Sequence, residues 1–173
     1  RFFLLARALS MSTQEPGNQP LNQLANGEAS MPRVTVQLPI YNEQHVVNRL
    51  IDAVCNLDYD LNNLEIQVLD DSTDQTTRFV DDSVRAWQNR GYPIKIIRRS
   101  NREGYKAGAL AAGLVQSTGQ FIAMFDADFI PAPSFLKEAL REFTDDGIGM
   151  VQARWAHYNR HESLLTEAQA ILL

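Results

Sequence analysis

Short apolar runs alternate along the chain with stretches whose apolar residues recur every third or fourth position. Val34-Thr35-Val36-Gln37-Leu38 predicts a strand, and Val46, Val47, Leu50, Ile51, Val54 and Leu57 then follow at helical spacing. Leu64 to Leu69 predicts a second strand. Ser72 with Gln75 has the spacing of a capping box, and the helix it opens would turn Phe79, Val80, Val84 and Trp87 inward. Ile94 to Ile97 predicts a third strand, and Glu103 to Gln116 an Ala- and Gly-rich helix that can pack close to a sheet. Gln120 to Phe125 predicts a fourth strand. Pro131 to Phe143 predicts a helix with Pro131 or Pro133 in its first turn. Ile148 to Gln152 predicts a fifth strand, and the pattern turns helical again from Glu162.

This alternation predicts an α/β fold, a mainly parallel sheet with helices on both faces. Ligands of such sheets bind beyond the carboxyl ends of the strands. Those ends carry Pro39-Ile40-Tyr41-Asn42-Glu43, Asp70-Asp71-Ser72-Thr73-Asp74, the basic run Arg98 to Lys106, and Asp126-Ala127-Asp128. The residues able to do chemistry therefore gather on one edge.

Outside this region the pattern weakens. Residues 1–9 hold the apolar run Phe2 to Ala6, too short to cross a bilayer and consistent with the end of a membrane or amphipathic helix. Residues 10–31 are rich in Ser, Gln, Asn, Gly and Pro and predict a flexible linker. The domain proper spans residues 32–173, and the helical pattern runs off the end at Leu173 without a capping signal, as in a C-terminally truncated domain. A net charge of −5 gives no overall reason to seek nucleic acid, so an anionic ligand must be held by local cations. The single cysteine, Cys55, predicts a buried, reduced thiol of a cytosolic domain.

Asp126 and Asp128 are two carboxylates close enough to repel, which a divalent cation would relieve. Magnesium and manganese favour such oxygen ligands and share them with phosphates. Asp71, with Asp70 supporting it, can accept an N–H of a nucleobase. Tyr41, beside Glu43, can stack on a base. Arg102 and Lys106 flank Gly104 at a helix start and can meet phosphate oxygens. Trp155 can line a sugar or acceptor groove.

Five motifs in order, PIYNE, DDSTD, NREGYKAGAL, FDADFIP and VQARW, resemble the processive, membrane-bound branch of family-2 glycosyltransferases. Their wording is most similar to cellulose-synthase-like glucan and mannan synthases. The resemblance covers Val34 to Leu173 and implies a GT-A (Rossmann-like) fold. It also implies a UDP-sugar or GDP-sugar donor, a glycan acceptor, Mg2+ or Mn2+, and inversion at the anomeric carbon. By that resemblance Tyr41 and Asp71 hold the base, Lys106 the diphosphate, and Asp126 the ribose or metal, with Asp128 the direct metal ligand. It implies, further, a full-length protein held in a membrane by segments outside this chain, with this domain facing the cytoplasm.

Two departures bear on catalysis. The family's base lies in a TED-like motif, which Leu164-Leu165-Thr166-Glu167-Ala168 does not match, and Gln152-Ala153-Arg154-Trp155 is one spacer short of QxxRW. No catalytic base is therefore expected in this chain; it is expected beyond Leu173, and the chain alone is expected to be inactive. The alternatives are a sugar-phosphate nucleotidyltransferase, disfavoured because the first loop has no glycine, and a non-catalytic nucleotide-sugar-binding module. A dinucleotide oxidoreductase is disfavoured because no G-x-G-x-x-G follows a strand.

Overall fold

Alternation on two neighbouring strands organises the molecule. In β2 (Val34–Ile40) and β3 (Leu64–Asp70), Val34, Val36, Leu38, Leu64, Ile66 and Val68 share one face, while Thr35, Gln37, Glu65 and Gln67 share the other. The computed structural model describes residues 4–7, 31–145 and 147–152. The remaining strands are β1 (Leu4–Arg7), β4 (Ile94–Ile97), β5 (Phe121–Met124) and β6 (Met150–Gln152). Among the described residues these six strands form one sheet in the order β4-β3-β2-β5-β1-β6. The β4-β3-β2-β5 part is parallel, and β1 pairs antiparallel with both β5 and β6.

The helices are α1 (Val47–Cys55), α2 (Thr76–Gln88), α3 (Tyr105–Val115) and α4 (Phe135–Arg141). Leu50, Ile51 and Val54 of α1, Val80 and Val84 of α2, and Leu136 and Leu140 of α4 join the apolar sheet face in the main core. Trp87 completes that layer, and its Nε1 donates to Asp52 Oδ1 at 2.8 Å, tying α2 to α1. Helix α3 covers the opposite face, where Ala109 packs with Leu69 and Ile97.

The face beneath α3 is polar and saturated. Gln37 Nε2 donates to Gln67 Oε1 at 3.1 Å, and Thr35 Oγ1 donates to Glu65 Oε2 at 2.7 Å. Thr118 gives that same oxygen its backbone N–H and its hydroxyl, and Lys95 pairs with Glu65 Oε1 at 2.8 Å. Burial alone would raise the Glu65 pKa, but the bonds from Lys95, Thr35 and Thr118 outweigh it and hold the carboxyl down at about 2. Gly113 lets α3 approach this row, since a Cβ there would lie 2.6 Å from Gln37 Nε2 and 2.8 Å from Gln67 Oε1.

Several sequence expectations need correction. The capping box at Ser72 does not form: α2 begins at Thr76, whose N–H is accepted by Asp74 Oδ1 at 2.9 Å. Asp70 Oδ1 takes the Ser72 N–H instead, which keeps residues 72–75 out of the helix. Phe79 stands 36% exposed, and Thr76 takes the fourth inward place beside Val80, Val84 and Trp87. Pro131 and Pro133 precede α4 rather than entering its first turn, and the Pro133 carbonyl accepts from Asp58 N at 2.8 Å. Leu4–Arg7 is a strand, where the apolar run suggested the end of a helix; a run that short has no periodicity to decide between them. Cys55 is buried and free, and burial first, with Asp52 second, pushes its thiol up to about 12.

No helix among the described residues is long and apolar enough to cross a membrane. Residues 10–30 of the expected linker, Trp155 and the helical pattern from Glu162 lie outside the described residues.

Candidate functional site

The parallel strands end together, and their loops enclose a cleft of about 510 Å³. Tyr41, Glu43, Asp71, Arg102, Lys106, Asp126 and Asp128 all line it, so the structure brings together seven of the residues singled out from the sequence. Asp70 is not among them. Its side chain is 0% exposed, with Oδ1 taking the Ser72 N–H and Oδ2 the Arg98 guanidinium at 2.9 Å.

Each loop is held by a bond that its sequence hides. Asn42 adopts φ 55°, which Asn tolerates better than most residues. Its N–H donates to Ser72 Oγ at 3.0 Å and its Oδ1 accepts from Thr73 N at 2.9 Å, joining the first loop to the second. Asp71 is gripped from the third loop: Arg99 Nε and Nη2 donate to its two oxygens at 3.1 and 2.5 Å. The same guanidinium donates to the carbonyls of Glu103 at 2.7 Å and Tyr105 at 3.0 Å. Arg99 thereby fixes the turn that launches α3, where Gly104 has φ 68° and Tyr105 φ 49°. The sequence places Arg98 and Arg99 in the basic run after the third strand but assigns neither a partner. Two cations after β4 and two adjacent aspartates after β3, strands that are neighbours in the sheet, were the available signal.

Two contacts cross the cleft. Lys106 Nζ forms an ion pair with Asp126 Oδ1. Arg102 lays its guanidinium over the Tyr41 ring, 3.1 Å from the centroid, and 5.1 Å from that of Tyr105. Arg102 Nε is buried there without a hydrogen-bond partner.

The charges favour a ligand that brings cations with it. Glu43, Asp71, Asp126 and Asp128 outnumber Arg102 and Lys106 in the lining by four to two, and Asp71 is paired with Arg99 from outside it. Among the described residues no group of three His, Cys, Asp or Glu side chains could hold a metal ion. The donor set therefore fits a hard cation bound by one or two carboxylates and completed by ligand and water oxygens.

A second cleft of about 510 Å³ lies at the other end of the strands, by Arg33, Glu65, Tyr92 and Lys95. Glu65 and Lys95 are already engaged with each other there.

Residues 35–171 match the family Glycosyl transferase family 2. The chain belongs to that family. Among its curated relatives, the glucomannan 4-beta-mannosyltransferase 2 of Arabidopsis thaliana is 41% identical over 152 residues, covering 85% of this chain and 28% of the relative. A probable glucomannan 4-beta-mannosyltransferase 3 of Oryza sativa subsp. japonica is also 41% identical, with the same coverage. The chain thus spans about 28% of the length of these family-2 relatives. Among solved structures, the mannosyltransferase PcManGT of Pyrobaculum calidifontis, in complex with GDP-Man and Mn2+, is 29% identical with a TM-score of 0.62. The match covers 78% of this chain and 37% of that one. The glucosyl-3-phosphoglycerate synthase of Mycobacterium tuberculosis, in complex with Mn2+, UDP and glucosyl-3-phosphoglycerate, is 25% identical with a TM-score of 0.53 and coverage of 79% and 48%. The fold of this family-2 chain is accordingly GT-A.

Proposed function

We propose that this chain is the donor-binding part of an inverting family-2 hexosyltransferase that extends a polysaccharide or other glycan from a GDP-sugar or UDP-sugar. The convergence of Asp126, Asp128 and Lys106 with Tyr41 and Asp71 in one cleft at the strand ends carries this reading. GDP-mannose is the first donor to test, because the relatives are named mannosyltransferases and one neighbour holds GDP-Man.

The geometry supports a role for each of these residues. Tyr41 offers a ring for the base, and the Asp71 oxygens, each already taking one bond from Arg99, keep a lone pair for a base N–H. Glu43 stands on the rim beside them. Lys106, half exposed, can turn from Asp126 to the diphosphate and oppose the charge that grows on the leaving group. Asp128, with Asp126 beside it, would hold Mg2+ or Mn2+, which when bound neutralises charge on the diphosphate. An acceptor hydroxyl attacks in line, and the base that takes its proton is assigned to a segment beyond Leu173. The family resemblance supports placing the full-length protein in a membrane, with this domain on the cytoplasmic side, and a sugar or acceptor contact by Trp155 is part of the same reading.

Calorimetric titration with GDP and UDP, with and without MnCl2, tests the site. Manganese-dependent binding that Asp128→Asn removes is expected. Absence of binding to both nucleotides, or binding indifferent to Asp128→Asn, overturns the assignment. In the full-length protein, release of nucleoside diphosphate during glycan growth is expected; formation of pyrophosphate from a nucleoside triphosphate would indicate a nucleotidyltransferase instead.

A further inference from the structure

Arg102 stands where a ligand would go. Tyr41 and Arg102 line the same cleft, and the guanidinium covers the ring of Tyr41 at 3.1 Å from its centroid. A base stacked on that face and Arg102 exclude one another. The same side chain holds a buried Nε–H that finds no acceptor, an unfavourable state for a cation that normally bonds through all its donors.

The backbone around Arg102 is pinned. Its carbonyl accepts from Tyr105 N at 3.0 Å, and Arg99 ties down the carbonyls of Glu103 and Tyr105. Motion is therefore left to the side chain. Lys106 projects from the first turn of the helix that follows, so a guanidinium swung away from Tyr41 stays close to the cation assigned to the diphosphate.

We infer that Arg102 is a specificity-determining residue that makes base stacking conditional on phosphate. It rests on the Tyr41 ring. A nucleoside alone must displace it with nothing to offer in return. A nucleoside diphosphate draws it off, because phosphate oxygens accept from the guanidinium, including the Nε–H that has no acceptor against the ring. The cleft thereby discriminates against nucleosides that would otherwise compete through the base alone. This inference rests on the donor-site reading above.

The test compares uridine and guanosine with UDP and GDP by calorimetry in manganese, on the wild-type chain, Arg102→Ala and Arg102→Lys. Uncovering Tyr41 in Arg102→Ala should tighten nucleoside binding by roughly threefold. Losing the phosphate contact should weaken nucleoside diphosphate binding by about tenfold or more. Arg102→Lys, which keeps the charge without the planar fork, should tighten nucleosides while weakening the diphosphates less than Arg102→Ala does. Opposite signs for the two ligand classes are the signature, since a merely structural role would weaken both together. Equal loss for both classes, or unchanged nucleoside affinity in both variants, overturns the inference. Failure of the wild-type chain to bind either diphosphate instead overturns the donor-site reading itself.

Discussion

Two pairs of aspartates end two strands of one sheet, and they are used differently. Asp70 and Asp71 close β3, and both are enclosed, with side chains 0% and 7% exposed. Arginines from the next strand end take their oxygens, Arg98 on Asp70 and Arg99 on Asp71. Asp126 and Asp128 follow β5 and line the cleft, Asp128 on its exposed surface and Asp126 against Lys106. The difference lies in the neighbour each pair is given. Carboxylates beside rigid guanidinium forks become frame, and a carboxylate beside a flexible ammonium, as Asp126 is beside Lys106, remains able to change partner.

The contrast predicts that the two pairs fail in different measurements. Arg99→Ala strands Asp71 in a nearly closed site, and the expected loss of folding stability in urea is about 3–5 kcal/mol. A loss under about 1 kcal/mol would mean that the β3 pair is not frame. Asp128→Asn should change stability by no more than about 0.5 kcal/mol while weakening manganese-dependent nucleotide binding on the order of 100-fold. If the variant unfolds early, the β5 pair is frame too, and the distinction is gone.

Glu65 extends the comparison to a third carboxylate. Its folded pKa of about 2 lies below its ordinary value of 4.5, so its contribution to stability is complete above that value and is lost as the pH falls toward 2. Urea midpoints should decline over that window by the equivalent of on the order of 2 kcal/mol, and Glu65→Gln should flatten the decline. A decline of the same size in Glu65→Gln would assign the acid sensitivity elsewhere. The smallest effect asks whether frame and site communicate. Gly113→Ala forces a Cβ toward Gln37 and Gln67, at roughly 1 kcal/mol of stability, and should shift α3 and with it Lys106. Nucleotide affinity that falls while Asp128→Asn still abolishes the remainder would show that α3 carries the strain to the cleft.

Much of this was legible in the sequence because apolar periodicity reports burial directly. Ile94 to Ile97 matches β4 residue for residue, and seven cleft residues follow strands as an α/β sheet requires. The sequence misled where local and tertiary bonds compete. Ser72 lost its place at the helix start because Asp70 reached its N–H first. Pro133 was drawn away from α4 by a carbonyl bond to Asp58, distant in sequence. The part played by Arg99 depends on β3 and β4 being neighbours, which charge alone does not reveal.

The polar row beneath α3 has one more consequence. Side chains in a strand alternate, so sliding β3 past β2 by a single residue would turn Glu65 and Gln67 into the layer filled by Val36, Leu38 and Leu50. A lysine-bound carboxylate has no tolerable place there. Glu65 therefore acts as a check on alignment, penalising any slip by an odd number of residues. The height at which each loop leaves its strand is set by that alignment, and so is the meeting of Asp71, Lys106 and Asp128 across one opening.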